Sequence, residues 1–573
     1  MVTAMAKTEL STDVLIIGGG AAGAVAAIKA AQEGADALVV TKGPYPSGNS
    51  SIALAGYAVA LGHSDPRDNT QVHYDDIIRA GNGLNNQKLV RKWVSEIVDI
   101  TWEMDSWGID LIKEGDKFAQ RPWEGHTYPR MVHHHLTTGK AVMQCLARKS
   151  DELGVKSVGH TIIAGLLKSD GRIAGAWGIN YRTGELVVIN ARAVILTTGG
   201  MGHLFPLTDN VAAVTGEGYA LGFDAGAELT GMEFCHFLAT PCYPDKMRVR
   251  YAFMRYVNGL INEAGAKLYN GLGERFMLKQ YPETAERGKN GEDMTKAIGM
   301  EICEGRAGAH GGVYLDVSGV SEEMKTNEFA QVWDTAARAG VDLSYQPIEL
   351  APYPHDLVGG IKIDEMAATN VPGLYAAGEA AGGSHGASRF GGGALSEAMA
   401  YGAIGARAAA SYARELGQHL PPDEGQLADA VSRIEGLLAP KEGIPPAELK
   451  HSIQSVAHNY INIVENEEGL TKAIQELEHI EKQMLPEMSA WSDNEKERIS
   501  KLRESLEVTG QLETAKAMAI ASLHRTESRG GLFGGHYRSD YPDKDNENWM
   551  KNIILKKETD GISLSLESPV TED

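Results

Sequence analysis

The stretch DVLIIGGGAAGAVAAIKAA, residues 13–31, decides the fold of this chain. It begins as a short apolar strand, passes through three glycines and continues as an alanine-rich helix, a pattern typical of the start of a β-α-β unit. Gly18, Gly20 and Gly23 have the G-x-G-x-x-G spacing, which lets the backbone turn tightly, approach a diphosphate and pack a helix closely against a strand. A dinucleotide's diphosphate would then lie at the positive end of the helix. A glycine-rich turn with a purely structural role is the competing interpretation.

The segments that follow continue this pattern. A second apolar run, ADALVVTK, ends at Lys42 and predicts the next parallel strand. The acidic residue expected about 20 positions after the glycines is missing, because Thr41 and Lys42 stand there. Short strands predicted at 156–198 end in AVILTTGG, and VPGLYAAGEAAGG at 371–383 returns to strand, turn and helix. We therefore expect an α/β domain assembled from two separate parts of the chain.

Composition narrows the classes of function. The formal net charge of −22 argues against a nucleic-acid partner, because such binding depends on lysine and arginine displacing counterions. The four cysteines form no C-x-x-C pair, so the sequence contains neither an iron–sulfur nor a zinc motif. The amino terminus lacks an apolar signal core, and nowhere is there the run of about 18 apolar residues that a membrane span needs. We expect a soluble, cytoplasmic protein with reduced thiols.

Five further segments carry a resemblance to a known family. They are TGEGYALGFDAGAELTGMEF (215–234), GERFM (273–277), HDLVGGI (355–361), PGLYAAGEAAGGSHGASRFGGGALSEA (372–398) and RTESRGGLFGGHYRSDYPDKDNENW (525–549). With them the chain resembles the flavoprotein subunits of succinate dehydrogenase and fumarate reductase, a family that also contains L-aspartate oxidase and the adenylylsulfate reductase α subunit. In that family a strand ending in Ser-Lys or Thr-Lys replaces the acidic residue, which accounts for Thr41 and Lys42. The resemblance implies FAD as the cofactor.

The predicted architecture follows from the order of these segments. We expect a Rossmann-like FAD-binding domain with an inserted α+β capping domain and a C-terminal helical domain. The predicted boundaries are 1–232 and 351–420 for the two parts of the FAD-binding domain, 233–350 for the capping domain, 421–515 for the helical domain and 516–573 for a C-terminal extension. Alternating Ile562, Leu564 and Leu566 predict a terminal edge strand.

The resemblance assigns residues to the flavin. Those implied to bind FAD are Gly18, Gly20, Ala22, Gly23, Thr41, Lys42, Asn49, Ser50, Ser51, Gly56, Thr198, Gly199, Glu217, Gly378, Glu379 and Leu395. Several family members attach the flavin covalently through the histidine of an S-H-T segment, where this chain has Gly48, Asn49 and Ser50. Because asparagine cannot form that bond, we expect noncovalent FAD, which favours a reductase or an oxidase acting on an easier donor than succinate.

The substrate pocket keeps part of the family pattern. Family enzymes move hydride between the flavin and a C–C bond beside a carboxylate, and they clamp carboxylates with arginine and histidine, an arrangement that orients an anion. His355 in HDLVGGI and Arg389 in GASRFGG match that clamp. The family's F-H-P-T reads Phe-Leu-Ala-Thr here, so Leu238 replaces a carboxylate-binding histidine and only Thr240 remains. Arg389 pairing with a structural carboxylate is the alternative interpretation.

The proton-transferring arginine of the family has no counterpart in this sequence. The nearest match is Glu292, and a shift of one residue would place Gly291 there. Candidate replacement acids or bases are His355, Glu292, Lys296 and His236, in that order, and His236 is expected to be a core histidine. We therefore predict His355, Arg389, Glu292 and Thr240 as the catalytic residues, in a pocket that is less positive and more apolar than in the family.

The run His133-His134-His135 raises the question of a metal site. Adjacent histidines on a strand point to alternate faces and do not easily share one ion, so we predict no metal. Because the following Thr137-Thr138-Gly139 matches a family segment near the flavin, a histidine contact with the pocket is the second interpretation.

Three functions remain open at this point. The leading hypothesis is an FAD oxidoreductase that transfers hydride to or from a small anionic molecule other than fumarate or succinate, with residues 233–350 closing over it. If oxygen is not the electron acceptor, we expect a ferredoxin-like iron–sulfur subunit, or a flavodoxin, as electron partner in a multi-subunit complex. The alternatives are a sulfur-compound reductase resembling adenylylsulfate reductase and a catalytically silent electron-transfer subunit. A silent subunit would show no ligand-dependent reoxidation of its flavin.

Overall fold

The largest sheet forms the centre of the molecule. The structure is a computed structural model that describes residues 6–248, 251–287 and 291–572. The strand Lys7–Ile17 lies between Ala37–Val40 and Glu185–Leu196 and runs parallel to both. The other strands of this seven-stranded sheet are Lys156–Val158, Thr161–Ser169, Arg172–Asn180 and Leu374–Ala376. The last of these pairs in parallel with Glu185–Leu196, so the predicted α/β fold, completed by a returning segment, is confirmed.

Helices cover both faces of this sheet. Leu15 and Ile17 belong to one hydrophobic core, whereas Val14 and Ile16 belong to another, because alternate side chains of a strand point to opposite faces. The helix Ala21–Gln32 packs against the long helix Gly393–Leu416. Further helices of this part are Thr70–Ala80, Gln87–Ser106, Thr138–Glu152 and Glu217–Asp224. Small strands also lie here, at Tyr57–Ala58, Lys113–Glu114, Lys117–Phe118, Gln120–Arg121 and Met131–Val132.

A second, antiparallel sheet belongs mainly to residues 233–350. Its strand order is Lys267–Tyr269, Val313–Asp316, Ile348–Leu357, Cys235–Tyr243, Gly535–His536 and Arg529–Gly530. The helices around it are Tyr251–Asn262, Met277–Gln280, Gly291–Cys303, Glu322–Thr326 and Ala330–Arg338. A hydrophobic core of its own, drawn from residues between Ala239 and Leu350, supports this sheet. The last two strands come from the C-terminal part of the chain and tie the two regions together.

Four longer helices form the helical region. They are Glu424–Leu438, Pro446–Tyr460, Glu467–His479 and Glu495–His524. Asp423, Asn466 and Asn494 cap three of them by accepting backbone N–H groups with their side chains. The predicted boundary at 515/516 falls inside the last helix, because the helical pattern continues to His524. Within the described residues, no helix is long and apolar enough to cross a bilayer.

The end of the chain forms the edge of a third sheet. Its five strands run in the order Ala381–Gly382, Gly360–Lys362, Leu229–Thr230, Asn552–Glu558 and Gly561–Glu567, and the short helix Asn546–Trp549 precedes the last two. The strand that contains Ile562, Leu564 and Leu566 pairs on one side with Asn552–Glu558. The predicted terminal edge strand is therefore confirmed.

Candidate active site

One cavity of about 450 Å³ runs along the carboxyl ends of the parallel strands and extends to the second sheet. Ligands of open α/β sheets bind at this edge. Most residues predicted to bind the cofactor line it: Gly18, Gly20, Ala22, Thr41, Lys42, Asn49, Ser50, Gly56, Thr198, Gly199, Glu217, Gly378, Glu379 and Leu395. Gly23 and Ser51 are not among the lining residues. The hydroxyl of Ser51 donates to the carbonyl of Gly48 at 2.7 Å, so its role is in the loop itself.

Two glycines make the turn at the first strand possible. Gly18 has φ +119°, and a Cβ there would lie 2.1 Å from the carbonyl oxygen of Thr197. A Cβ at Gly23 would lie 2.1 Å from the carbonyl oxygen of Gly18. The backbone can therefore take this path only without side chains at these positions. Gly23 serves the cavity through this close packing of helix against strand.

The helix Ala21–Gln32 directs its positive end toward the cavity. Its first turn holds no acidic residue, and the N–H of Ala21 donates to the hydroxyl of Ser50 at 3.0 Å. The partial positive charge of a helix N-terminus favours an anion such as a diphosphate.

A buried cluster of charges lies on the same wall. Lys42 Nζ is 2.6 Å from Glu217 Oε1 and 3.4 Å from Glu507 Oε1. Burial favours the neutral amine, but the two carboxylates outweigh it and raise the pKa of Lys42. Glu507 comes from the helix Glu495–His524, so the helical region helps to hold Lys42 in this wall.

A β-bulge in the second sheet places two neighbouring residues on the opposite wall. His236 pairs with Asp356, whereas the next residue, Phe237, pairs with Pro354. His355 is thus an extra residue on its strand. Because a bulge interrupts the alternation of side chains, His355 and Asp356 both line the cavity.

A carboxylate from another segment holds the ring of His355. Its Nδ1 lies 2.5 Å from Asp209 Oδ2, and the side chain of Asn210 donates to the His355 carbonyl at 2.8 Å. Burial alone would lower the pKa of His355, but Asp209 outweighs it and raises that pKa. The side chain still exposes 37% of its surface. Asp209 therefore favours the protonated form of the His355 ring, which faces the cavity.

Arg389 forms a second group with Asp356 and His236. Its Nε donates to Asp356 Oδ2 at 3.0 Å, and His236 Nδ1 donates to Asp356 Oδ1 at 2.9 Å. Burial favours a neutral Asp356, but the guanidinium and the histidine outweigh it and lower the pKa of that carboxyl. A bridge between the backbones of Arg389 and Phe533 fixes the position of the arginine. Arg389 thus lines the cavity, as a residue of an anion clamp would, and also pairs with a structural carboxylate, as the alternative interpretation expected.

His236 is buried, as a core histidine would be, and it also lies in the cavity wall. Its side chain is only 2% exposed, yet it lines the cavity beside His355, with ring centroids 5.1 Å apart. Burial lowers the pKa of His236 to about 4 despite the hydrogen bond to Asp356. The two histidines in edge contact therefore have pKa values shifted in opposite directions, upward for His355 and downward for His236.

Two of the predicted catalytic residues lie away from this cavity wall. Glu292 borders a separate space of about 10 Å³, together with Cys235 and Phe237, on the other side of the strand that carries His236. Burial raises the pKa of Glu292 to about 8, and its Oε2 accepts the N–H of Gly534 at 3.2 Å. Thr240 is fully buried and donates its hydroxyl to the Leu238 carbonyl at 3.2 Å.

The remaining candidates have other partners. Lys296 pairs with Asp293 at 3.8 Å and lies over the ring of Tyr537, and its side chain is partly exposed. His134 Nδ1 contacts the Asp110 carbonyl at 2.7 Å, on the surface rather than in the cavity. Neither observation supports a direct role in chemistry.

Three side chains of the site could in principle ligate a metal. Ligand atoms of His236, His355 and Asp356 lie within 4.8 Å of one another. The guanidinium of Arg389, however, already bonds to Asp356, and its Nη2 lies 3.5 Å from His236 Nδ1. A divalent cation there would be repelled by this fixed positive charge, so we retain the prediction that no metal binds.

Comparison with known proteins identifies the family. Residues 13–395 match the FAD binding domain family, and residues 450–572 match the family described as fumarate reductase flavoprotein C-term. The chain is 33% identical over 564 residues to a subunit of the fumarate reductase (CoM/CoB) of Methanothermobacter marburgensis, with 95% of this chain and 97% of that protein covered. The chain belongs to the flavoprotein family of succinate dehydrogenase and fumarate reductase. It is an FAD-dependent oxidoreductase.

Solved structures of the family have the same fold. Sdh1 of Mycobacterium smegmatis in complex with UQ1 is 30% identical, with a TM-score of 0.89 over 99% of this chain and 95% of that one. Adenylylsulfate reductase from Archaeoglobus fulgidus is 22% identical, with a TM-score of 0.77 over 99% of this chain and 97% of that one. The second match shows a shared fold alone.

The residues of the cavity fit FAD. The glycine turn and the helix N-terminus provide a place for a diphosphate, and the buried hydroxyl of Thr198, which lines the cavity, has no hydrogen-bond partner among the described residues. The side chain of Asn49 donates to Asn210 at 2.6 Å and accepts the N–H of Val211 at 3.0 Å. Asn49 therefore links the flavin loop to the segment that carries Asp209.

Sequence reasoning missed several residues of the site. Asp209, Asn210, Glu507 and Phe533 come from segments distant in sequence from His355 and Arg389, and no local pattern marks them. Asp356 stands directly after His355 in HDLVGGI, but regular strand alternation would have turned it away from the cavity. The bulge changed that, and a bulge cannot be read from this stretch alone.

Proposed function

We propose that this protein holds FAD noncovalently and transfers hydride between it and a small organic anion, with His355 as the proton carrier and Arg389 as the anion contact. The observation that supports the proposal most directly is the position of both side chains in the wall of the cavity that the glycine turn opens. When bound, FAD supplies two-electron hydride chemistry.

His355 is suited to give a proton to a substrate. Asp209 fixes its Nδ1 at 2.5 Å, which leaves Nε2 as the nitrogen that can act on a ligand. A positioned general acid of this kind contributes about 10²–10⁴-fold in rate. The raised pKa of His355 favours the protonated ring, which can give a proton in a reduction, and the neutral ring can take a proton in the reverse direction.

Fumarate and succinate are poor candidates for the substrate. Leu238 lines the cavity where the family pattern has a histidine, and Glu292 lies behind the strand where it has a proton-transferring arginine. A dicarboxylate would lack part of its clamp and its usual proton carrier. We propose instead a substrate with less negative charge and a more apolar body, which Leu238, Trp123 and Phe533 of the cavity wall could contact.

An anaerobic experiment tests this function. The protein reconstituted with FAD would be photoreduced, and single-carboxylate alkenoates and fumarate would be added in parallel while the flavin spectrum is followed. We expect an alkenoate to reoxidise the flavin faster than fumarate does. Faster reoxidation by fumarate would contradict the substrate proposal, and no reoxidation by any ligand would favour a silent electron-transfer subunit.

We also propose an electron partner outside this chain. Cys145, Cys235 and Cys242 are buried and Cys303 is exposed, and all four are free thiols. The relative in M. marburgensis is named as one subunit of its enzyme. A ferredoxin-like iron–sulfur subunit is the proposed partner, and a cytoplasmic location stays a prediction. Purification of this protein from its own cells, without prior dissociation of complexes, tests this proposal: an iron-containing protein should co-purify with it.

A further inference from the structure

We propose that Asp356 is an internal counter-ion that occupies an anion position of Arg389 and so makes the pocket select against a second carboxylate. This inference rests on the proposed function and specifies its substrate class as a monoanion. The residue acts on specificity, through the arginine, and we assign it no proton transfer.

The geometry of Arg389 supports this role. A guanidinium recognises a carboxylate best through two parallel N–H groups. In this site Asp356 Oδ2 already accepts the Nε–H at 3.0 Å, and the Nη2 nitrogen lies 3.5 Å from His236 Nδ1. A ligand carboxylate would therefore have to share the guanidinium with a fixed carboxylate.

The fixed carboxylate is itself held in place. His236 donates to Asp356 Oδ1 at 2.9 Å, so both oxygens of Asp356 have partners, and its side chain is 9% exposed. The bulge at His355 turns this carboxylate toward the cavity. Asp356 is therefore rigid, and displacing it would leave a buried charge without a partner.

Each basic side chain of the site already has a carboxylate partner. Arg389 pairs with Asp356, and the ring of His355, whose pKa Asp209 raises, pairs with Asp209. The other titratable groups nearby add no charge at pH 7: burial raises the pKa values of Glu292 and Glu379 to about 8 and lowers those of His236 and His385 to about 4. A dianion entering this pocket would have to share both basic side chains with these fixed carboxylates, whereas a monoanion would have to share only one.

The substitution Asp356→Asn tests the inference through ligand binding, without turnover. Malonate is a suitable probe, because its single methylene between two carboxylates cannot form a C=C bond. Binding would be followed by the change in flavin absorbance of the FAD-bound protein and by the rise in its unfolding temperature. We expect Asp356→Asn to bind malonate about tenfold more tightly than the unsubstituted protein, with a smaller change for propionate.

Control variants make the result specific. Asp65→Asn removes the carboxylate of an exposed pair with Arg67 and should leave malonate affinity unchanged. Adding Arg389→Gln to Asp356→Asn should abolish the gain. If Asp356→Asn does not retain FAD, Asp356→Ser removes the same charge and leaves room for a ligand carboxylate.

The outcomes separate this inference from the proposed function. Equal malonate affinity in the FAD-bound unsubstituted and Asp356 variants would overturn the counter-ion role, whatever the substrate screen shows. A gain in malonate affinity without turnover of any monoanion would support the counter-ion and count against the proposed reaction.

Discussion

The two ends of the cavity are built in different ways. The cofactor end is formed by backbone, with Gly18 and Gly23 allowing contacts that any side chain would block. The substrate end is formed by charged side chains from separate segments, with His355 held by Asp209 and Arg389 held by Asp356. The cofactor end depends on the backbone shape of one short stretch. The substrate end depends on pairs of charged side chains that come from distant parts of the chain. Substitutions should therefore affect FAD retention at one end and chemistry at the other.

The largest effect is expected for Gly18→Ala. The new Cβ would lie 2.1 Å from the Thr197 carbonyl oxygen at φ +119°, and such overpacking and backbone strain cost about 2–6 kcal/mol together. We expect the purified variant to retain little FAD, measured as visible absorbance per protein. Gly436→Ala is the matched control, because a Cβ there meets nothing within 4 Å in a helix. Full FAD occupancy in Gly18→Ala would show that the turn is not the cofactor cradle.

The next effect is on chemistry, through His355→Asn. Loss of a positioned proton carrier should slow single-turnover flavin reoxidation about 10²–10⁴-fold while FAD occupancy stays normal. His451→Asn, on an exposed helix position, is the control. A rate within a few-fold of the unsubstituted enzyme would remove His355 from the proton-transfer role.

Asp209→Asn should shift the pH dependence. In the reductive direction the rate falls as pH rises through the raised pKa of His355, and loss of the Asp209 charge should move that fall to lower pH. The pairing also contributes to the free energy of unfolding below about pH 6.5 and loses that contribution as pH rises through the folded-state pKa. Rate and denaturant profiles from pH 5 to 9 would measure both.

A surface pair provides the control for this shift. Asp110 lies 3.4 Å from His134 with its own side chain 81% exposed, so Asp110→Asn should leave the rate profile unchanged. An identical profile in Asp209→Asn would mean that the rate-limiting protonation does not involve His355.

The smallest effects are expected for Glu292→Gln and Thr240→Val. Glu292 has a pKa of about 8, so glutamine resembles the neutral acid that dominates at pH 7, and Thr240 bonds within its own strand. Each variant should keep the rate within about tenfold, below the range of a direct acid or base. A loss of about 100-fold or more in either would restore that residue to the catalytic group.

The sequence by itself determined the fold, the cofactor and most of the cofactor wall. Those features depend on local rules: a glycine spacing after an apolar strand, a helix that follows at once, and segments whose order matches a family. It also identified His355 and Arg389, because each lies in a short motif. Gly23 in the helix Ala21–Gln32 and Ser51 beside Ser50 lie next to the cavity without lining it.

Only the tertiary structure showed which carboxylates pair with the basic side chains of the substrate end. A strand alternates its side chains, so regular pairing would turn Asp356 away from the side that His355 faces, and the bulge places both in the wall. The partners Asp209 and Asp356 change what His355 and Arg389 can do, yet electrostatic interactions depend on distance in space rather than along the chain. For this reason the sequence motifs pointed to His355 and Arg389, whereas their partners Asp209 and Asp356 could be found only in the folded structure.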